Sequence, residues 1–202
     1  MAKNNGWIKN LSQINNISTI VDVGVMEGTF NLYNSFPNAK LLLIDPLIES
    51  NENVKSKLGP RPYKFYNYGA GSKEANLKIN VNGNPRESSI LSRTDPANIL
   101  ERREIIVKKL DDICNNEVTG PAILKIDTEG YELEVLSGAP EIVKKCNYII
   151  CETSIVQRFE ESYEFEDMIK FMDSNGFKVK AVLHAPKLCR CLDILFERKI
   201  KI

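Results

Sequence analysis

The stretch VDVGVMEGTF, residues 21–30, joins the end of an apolar strand to the start of a helix through two glycines. Glycine is required where the main chain takes a positive φ or approaches a ligand closely. A helix that begins near Gly28 presents free N–H groups and its positive dipole end to the turn. The stretch therefore predicts the strand–turn–helix unit of a Rossmann-like fold that binds a nucleotide cofactor.

The glycine spacing and an early acid narrow the choice of cofactor. Gly24 and Gly28 are spaced G-x-x-x-G instead of G-x-G-x-x-G, so the pyrophosphate cradle of a dinucleotide fold is degenerate. Asp22 would repel pyrophosphate, but its carboxylate could organise the turn and face a cationic ligand end. S-adenosylmethionine carries a positive amine and sulfonium, so the charge pattern favours it over NAD. A turn that binds no ligand is the alternative.

Outward from this turn, apolar strands alternate with helices along the chain. Thr19–Val23, Lys40–Ile44 and Ala122–Ile126 have the composition of buried strands, which favours a mostly parallel sheet with helices on both faces. Two final strands, Phe177–Leu183 and Leu192–Glu197, have no helix between them and should form an antiparallel hairpin. The pattern predicts the α/β class.

We expect one domain over residues 1–202, because domains usually contain roughly 100–200 residues. Residues 1–18 should form an N-terminal helical segment. Residues 83–106 are irregular and rich in Gly, Pro, Arg, Ser and Asp, and irregular loops longer than roughly 12–15 residues are often functional. This segment is predicted to be a substrate-facing loop or flap, with a plain surface connection as the alternative.

The second predicted contact region follows the next two strands. Asp45 lies 21 positions after Gly24, where a carboxylate can accept hydrogen bonds from both hydroxyls of a ribose. An acid at a helix start, before Pro46, is the alternative. Gly69 and Ala70 follow the third strand, at the expected adenine edge, and a plain turn is the alternative there.

The string LKIDTEGYELEVLSGA, residues 124–139, concentrates acids where a buried strand meets a helix. Ligands in open α/β sheets bind at the carboxyl ends of strands, so Asp127 should hold the cofactor amine or accept a proton from a hydroxyl nucleophile. Glu129 could share that task, Glu132 suits the first turn of a helix, and Lys125 should pair with one of these acids. The acids could instead hold Mg²⁺, but no second carboxylate cluster or His pair accompanies them, so no metal is predicted.

Together with VDVGVMEGTF (21–30), LLLIDP (41–46), VKKLDDIC (107–114) and YIICE (148–152), this string resembles the FkbM family of S-adenosylmethionine-dependent methyltransferases. The resemblance implies a class I methyltransferase fold, with a mostly parallel seven-stranded sheet that contains one C-terminal antiparallel strand. It also implies O-methylation of a hydroxyl on a sugar, glycan or natural product. The family often carries a His where this chain has Thr153-Ser154, so Glu152 or Asp127 would act without it.

The predicted site has a catalytic part and a cofactor-binding part. Catalysis is assigned to Asp127, Glu129 and Glu152. An NAD-dependent oxidoreductase and a non-catalytic nucleotide-binding domain are the alternative functions. The predicted cofactor contacts are Asp22, Gly24, Val25, Met26, Glu27, Gly28, Thr29, Phe30, Asp45, Pro46, Gly69, Ala70 and Asp127, of which Val25-Met26-Glu27 departs from the usual family pattern.

Bulk properties restrict the partners and the compartment. Lys+Arg and Asp+Glu are both 27, so the net charge supplies no argument for nucleic acid or membrane as a partner. The apolar runs fall short of the roughly 20 residues of a spanning helix, and the N-terminus MAKNNGWIKN lacks a signal-peptide pattern. Five cysteines, an odd number, indicate reduced thiols in a cytoplasmic protein. The expected partner is a hydroxyl-bearing small molecule or glycan, and the sequence leaves the oligomeric state open.

Overall fold

The computed structural model describes residues 5–185 and 190–200, and ten strands and seven α-helices lie within these ranges. The strands are β1 (Thr19–Val23), β2 (Lys40–Ile44), β3 (Lys64–Tyr66), β4 (Gly69–Ala70), β5 (Ala75–Asn82), β6 (Ile99–Lys108), β7 (Ala122–Ile126), β8 (Cys146–Ser154), β9 (Phe177–His184) and β10 (Cys191–Arg198). The helices are α1 (Asn5–Leu11), α2 (Phe30–Ser35), α3 (Glu49–Leu58), α4 (Leu110–Cys114), α5 (Glu132–Ser137), α6 (Pro140–Lys145) and α7 (Phe165–Ser174).

Seven strands form the main sheet, in the order β3-β2-β1-β7-β8-β10-β9. β1 pairs in parallel with both β2 and β7, while β10 is antiparallel to its neighbours β8 and β9. The strand order therefore reverses between β1 and β7, which places a ligand crevice outside their carboxyl ends. The predicted seven-stranded α/β sheet with an inserted antiparallel strand is confirmed.

Side-chain alternation along the strands divides the apolar core into two clusters, one on each face of the sheet. Val21 and Val23 belong to one cluster, and Ile20 belongs to the other together with Tyr33. Because successive strand residues point to opposite faces, Asp22 points toward the face of Ile20 and Tyr33. This position decides what the Asp22 carboxylate can contact.

A second, three-stranded sheet has the order β4-β6-β5 and was not expected. Residues 99–108 form β6, which is antiparallel to β5, so the prediction of an irregular segment over 83–106 is wrong for residues 99–106. Four consecutive charged residues, 101–104, hide the strand pattern. The buried Ile105 and Val107 anchor the strand by packing in a small cluster with Ile79.

The N-terminal segment packs against the edge of the main sheet. α1 carries the buried Trp7, and a side chain at Gly6 would lie 2.2 Å from the Leu183 carbonyl oxygen, so glycine permits this close approach. α1 (Asn5–Leu11) lies within the segment 1–18 that was predicted to be helical, residues 12–18 are not helical, and residues 1–4 lie outside the described ranges. Among the described residues no helix has the length and apolarity to cross a membrane, and the four described cysteines are free thiols.

Candidate active site

A cavity of about 630 Å³ opens at the carboxyl ends of β1, β2, β7 and β8. This volume lies within the roughly 300–1,000 Å³ typical of small-molecule and cofactor sites. Its wall brings together every predicted site residue except Asp22: Gly24, Val25, Met26, Glu27, Gly28, Thr29, Phe30, Asp45, Pro46, Gly69, Ala70, Asp127, Glu129 and Glu152. Their contact with a cofactor stays a prediction.

Gly24 shapes the floor of the cavity. Its φ is +77°, and a Cβ there would lie 1.8 Å from the Asp127 carbonyl oxygen. No side chain fits at that distance, so glycine is required both by the backbone angle and by the adjacent end of β7. The absent side chain lets the turn pack directly against the backbone that follows β7, which fixes the position of this part of the floor.

Asp22 does not reach the cavity, and the expectation that it faces the ligand is wrong. Its side chain is fully buried; Tyr33 donates a hydrogen bond of 2.5 Å to Oδ2, and the Lys125 ammonium lies 3.5 Å from Oδ1. The strand register explains this arrangement, because Asp22 of β1 lies directly opposite Lys125 of β7. Asp22 instead stabilises the turn, because its contacts with Tyr33 and Lys125 hold α2 and β7 against β1.

Lys125 connects the turn to the end of β7. Its Nζ lies 3.2 Å from Oδ2 of Asp127 and donates a hydrogen bond of 3.4 Å to the Gly24 carbonyl. Burial lowers the pKa of Lys125, but the carboxylates of Asp127 and Asp22 outweigh burial and raise it. The ammonium is therefore charged, and the predicted pairing of Lys125 with an acid is confirmed.

Asp45 is held by the backbone of two loops. Its Oδ2 accepts the Met26 N–H at 2.9 Å and its Oδ1 accepts the Leu47 N–H at 2.8 Å. Met26 takes a φ of +46°, which is uncommon for a residue with a side chain. Burial raises the pKa of Asp45, while these N–H donors lower it. Each oxygen keeps a further lone pair, so the carboxylate can still accept ribose hydroxyls.

Glu27 links the turn to the segment between β5 and β6. Arg86 forms an ion pair with Glu27, and Lys57 lies 3.3 Å from the same carboxylate. From this segment Pro85, Arg86, Ser88, Ser89 and Ile90 line the cavity. This part of the predicted substrate-facing segment therefore borders the cavity.

The three predicted catalytic acids converge. One carboxylate oxygen from each of Asp127, Glu129 and Glu152 lies within 4.8 Å of the others. Arg158 binds two of these acids, with Nη2 2.5 Å from Glu129 and Nη1 2.8 Å from Glu152. Sequence reasoning missed Arg158, since it lies in the irregular connection after β8, and its only signal was a cation six positions after Glu152.

Burial and mutual repulsion control the protonation of these acids. Burial, followed by the charges of Glu152 and Asp127, raises the pKa of Glu129. Burial and Asp127 likewise raise the pKa of Glu152, and Arg158 opposes the rise in both cases. Acids that repel one another around one guanidinium can share a proton, which suits them to proton transfer.

The loop that presents Glu129 is stabilised from two sides. Glu132, fully buried, accepts the backbone N–H groups of Thr128 and Gly130, each at 3.0 Å. Ser89 donates a hydrogen bond of 2.6 Å to the Glu129 carbonyl. These bonds hold Glu129 at a φ of +51°, a strained angle of the kind that clusters at functional sites.

The convergence of acids also raises the question of a metal ion. Carboxylate oxygens are suitable ligands for Mg²⁺, and among the described residues this group of three has the required proximity. Arg158 already donates to Glu129 and Glu152, so a divalent ion would have to displace a guanidinium. The geometry favours proton transfer, and a metal-free site stays a prediction.

The family model for the methyltransferase FkbM domain matches residues 22–179, which include the turn, the acids and Arg158. The chain belongs to the FkbM methyltransferase family. This assignment confirms the resemblance and favours methyl transfer over NAD-dependent oxidation. No curated protein sequence matches the chain at a significant level.

Solved structures of methyltransferases share the fold of this FkbM-family chain. The FkbM methyltransferase from Methylobacillus flagellatus KT superposes with a TM-score of 0.59 at 18% identity, over 90% of this chain but only 43% of that one. Magnesium protoporphyrin IX methyltransferase from Synechocystis PCC 6803, a structure with bound S-adenosylmethionine, gives 0.53 at 10% identity, over 95% of this chain and 76% of that one. A ribosomal protein L11 methylase from Lactobacillus delbrueckii gives 0.51 at 12% identity, with coverages of 96% and 78%.

Proposed function

We propose that this FkbM-family chain is an S-adenosylmethionine-dependent O-methyltransferase that acts on a hydroxyl of a sugar, glycan or natural product. The observation that carries the proposal is the meeting of Asp127, Glu129 and Glu152 with the Gly24 turn in one cavity. Its acceptor is a hydroxyl-bearing small molecule or glycan, and the balanced charge and odd cysteine count support a cytoplasmic enzyme without a nucleic-acid partner.

The residues present fit the cofactor S-adenosylmethionine. Gly24, Asp45, Gly69 and Ala70 all line the cavity, which supports a main-chain contact at Gly24, a ribose contact at Asp45 and an adenine contact at Gly69 and Ala70. Asp127, next to the floor of the turn, provides negative charge for the cationic end. When bound, this cofactor supplies a methyl group on a positively charged sulfur.

The protein's own residues position the acceptor and take its proton. Asp127 and Glu152 lie on the cavity wall within reach of a common point, so either carboxylate can accept the hydroxyl proton during attack. Arg158 holds Glu129 and Glu152 in place, which preserves the orientation on which proximity effects depend. Carboxyl groups accept hydrogen bonds when ionised and also donate when protonated, which suits a hydroxyl-rich acceptor.

The proposal is tested in two steps, cofactor binding and then turnover. Calorimetric titration should show binding of S-adenosylhomocysteine and none of NAD. A screen with methyl-labelled S-adenosylmethionine over glycans and hydroxylated metabolites, each with an amine analogue, should find transfer to hydroxyls. Transfer only to the amine analogues would refute O-methylation, and failure to bind S-adenosylhomocysteine at millimolar concentration would refute the enzyme assignment.

A variant pair then tests the catalytic residues. Asp127→Asn keeps the size of the side chain but removes one of the two carboxylates that can accept the proton, together with the negative charge offered to the cationic end of the cofactor, so turnover should fall by about 10²-fold or more. Asp173→Asn is the matched control, because Asp173 is an exposed acid of α7 that pairs with Lys199. Near-normal turnover of Asp127→Asn would refute the catalytic role of this acid.

A further inference from the structure

We propose that Glu152, Asp193 and His184 form a proton path from the cavity wall to solvent, an inference that rests on the proposed transfer of methyl to a hydroxyl. The three residues lie on β8, β10 and β9, which are adjacent in the main sheet. Neither Asp193 nor His184 was singled out as a site residue by sequence reasoning. The strand order alone brings them next to the predicted acids.

The strand register places the three side chains in one row. Asp193 of β10 lies opposite Glu152 of β8, and His184 of β9 lies opposite Asp193. Opposed residues of antiparallel strands have Cβ atoms about 4.5–5.5 Å apart and share a face. The Nδ1 atom of His184 lies 3.7 Å from Oδ2 of Asp193, so one short movement or one water connects them.

The inner end of the row is coupled to the cavity. Glu152 lines the wall, and Trp7, also in the wall, hydrogen-bonds Asp193 behind it. Burial, then the charges of Asp127 and Glu152, raises the pKa of Asp193 to about 7, against the opposing effect of Lys125. Asp193 can therefore take up and release a proton near neutral pH.

Other groups face the inner end and set its charge. Arg158 and the Cys191 thiol both hydrogen-bond the Glu152 carboxylate. The outer end is more open, since 36% of the His184 side chain is exposed. His184 is the single histidine of the chain, and an imidazole ring can accept a hydrogen bond at one nitrogen while it donates from the other.

The reaction produces one proton that must leave the cavity. The acceptor oxygen forms a bond to the methyl carbon, the carbon–sulfur bond breaks, and its electron pair stays on sulfur as a neutral thioether. The hydroxyl proton passes to Glu152, directly or by way of Asp127. Asp193 and His184 then carry the proton to solvent, which returns Glu152 to its ionised form for the next turnover.

The kinetic test uses His184→Gln with Lys178→Gln, a surface change on the same strand, as control. His184→Gln should lower turnover about tenfold or more at neutral pH, leave S-adenosylhomocysteine affinity unchanged, and be rescued by added imidazole. Lys178→Gln should behave as the unaltered protein. Unchanged turnover in His184→Gln, or a loss that imidazole does not restore, would overturn the proton path.

A spectroscopic test is independent of any acceptor. The single histidine gives one imidazole Cε1–H resonance, and its pH titration should show a second inflection from the ionisation of Asp193. Asp193→Asn should remove that inflection, and Glu152→Gln should displace it. A titration curve that neither variant changes would overturn the proton path. A wild-type chain that binds S-adenosylhomocysteine but methylates no hydroxyl would instead refute the proposed function.

Discussion

The replacement Gly24→Ala tests whether the cavity floor depends on the missing side chain. The new Cβ would lie 1.8 Å from the Asp127 carbonyl oxygen, and ordinary contact begins at 3.4 Å, so the ends of β1 and β7 must separate by about 1.6 Å. The φ of +77° adds a backbone cost of about 1–2 kcal/mol for a residue with a Cβ. Such a separation would move the Lys125 hydrogen bond to the Gly24 carbonyl and the wall that carries Asp127.

Gly176→Ala is the matched control, because Gly176 has a φ of +78° but its new Cβ would meet only Arg198 at 3.8 Å. We expect the control to lower the melting temperature by roughly 2–8 °C, from its backbone cost alone, and to bind S-adenosylhomocysteine normally. Gly24→Ala should lower it further and weaken binding by at least about tenfold, the equivalent of 1.4 kcal/mol. Thermal unfolding and calorimetric titration measure both quantities, and equal results for the two variants would refute the steric argument.

Two further replacements test the buried charges that support the site. Lys125→Met leaves the Asp22 carboxylate buried without its cation, so denaturant unfolding should show a loss of stability of about 3–5 kcal/mol. Lys144→Met is the control, because it breaks an exposed ion pair and should change stability by less than about 0.5 kcal/mol. Equal losses in the two variants would contradict the assigned role of Lys125. Burial raises the pKa of Glu132 from 4.5 to about 7, so the folded protein holds this proton more tightly than the unfolded chain does. The resulting contribution to the free energy of unfolding is fully present below pH 4.5 and is lost as the pH rises through 7. Glu132→Gln stays neutral and should gain about 3 kcal/mol relative to the unaltered protein over that range, and parallel stability–pH profiles would count against this pKa.

Local patterns were sufficient to predict a mostly parallel α/β sheet, because its strands are short apolar runs separated by clear helix and turn signals, whereas the seven strands with one inserted antiparallel strand were implied by the family resemblance. They also predicted which loops meet at the cavity, since the carboxyl ends of parallel strands share one edge. The pattern failed at β6, where charged residues 101–104 interrupt the apolar positions and only the pairing with β5 explains the strand. Arg158, Asp193 and His184 could not be predicted as site residues, because their roles depend on strand order and on contacts between loops distant in sequence.

The charge argument for a cationic cofactor holds after the correction at Asp22, but the acid that carries it changes. Lys125 and Asp127 are two positions apart at the end of β7, and the register brings Asp22 of β1 opposite Lys125. The ammonium of Lys125 lies between the two carboxylates, 3.5 Å from Asp22 and 3.2 Å from Asp127. Asp22 is shielded from the cavity by burial, whereas Asp127 lines the cavity wall with 35% of its side chain exposed. One cation therefore contacts both motifs, and of these two carboxylates it is Asp127 that lines the cavity and that we propose for the cationic end of the cofactor.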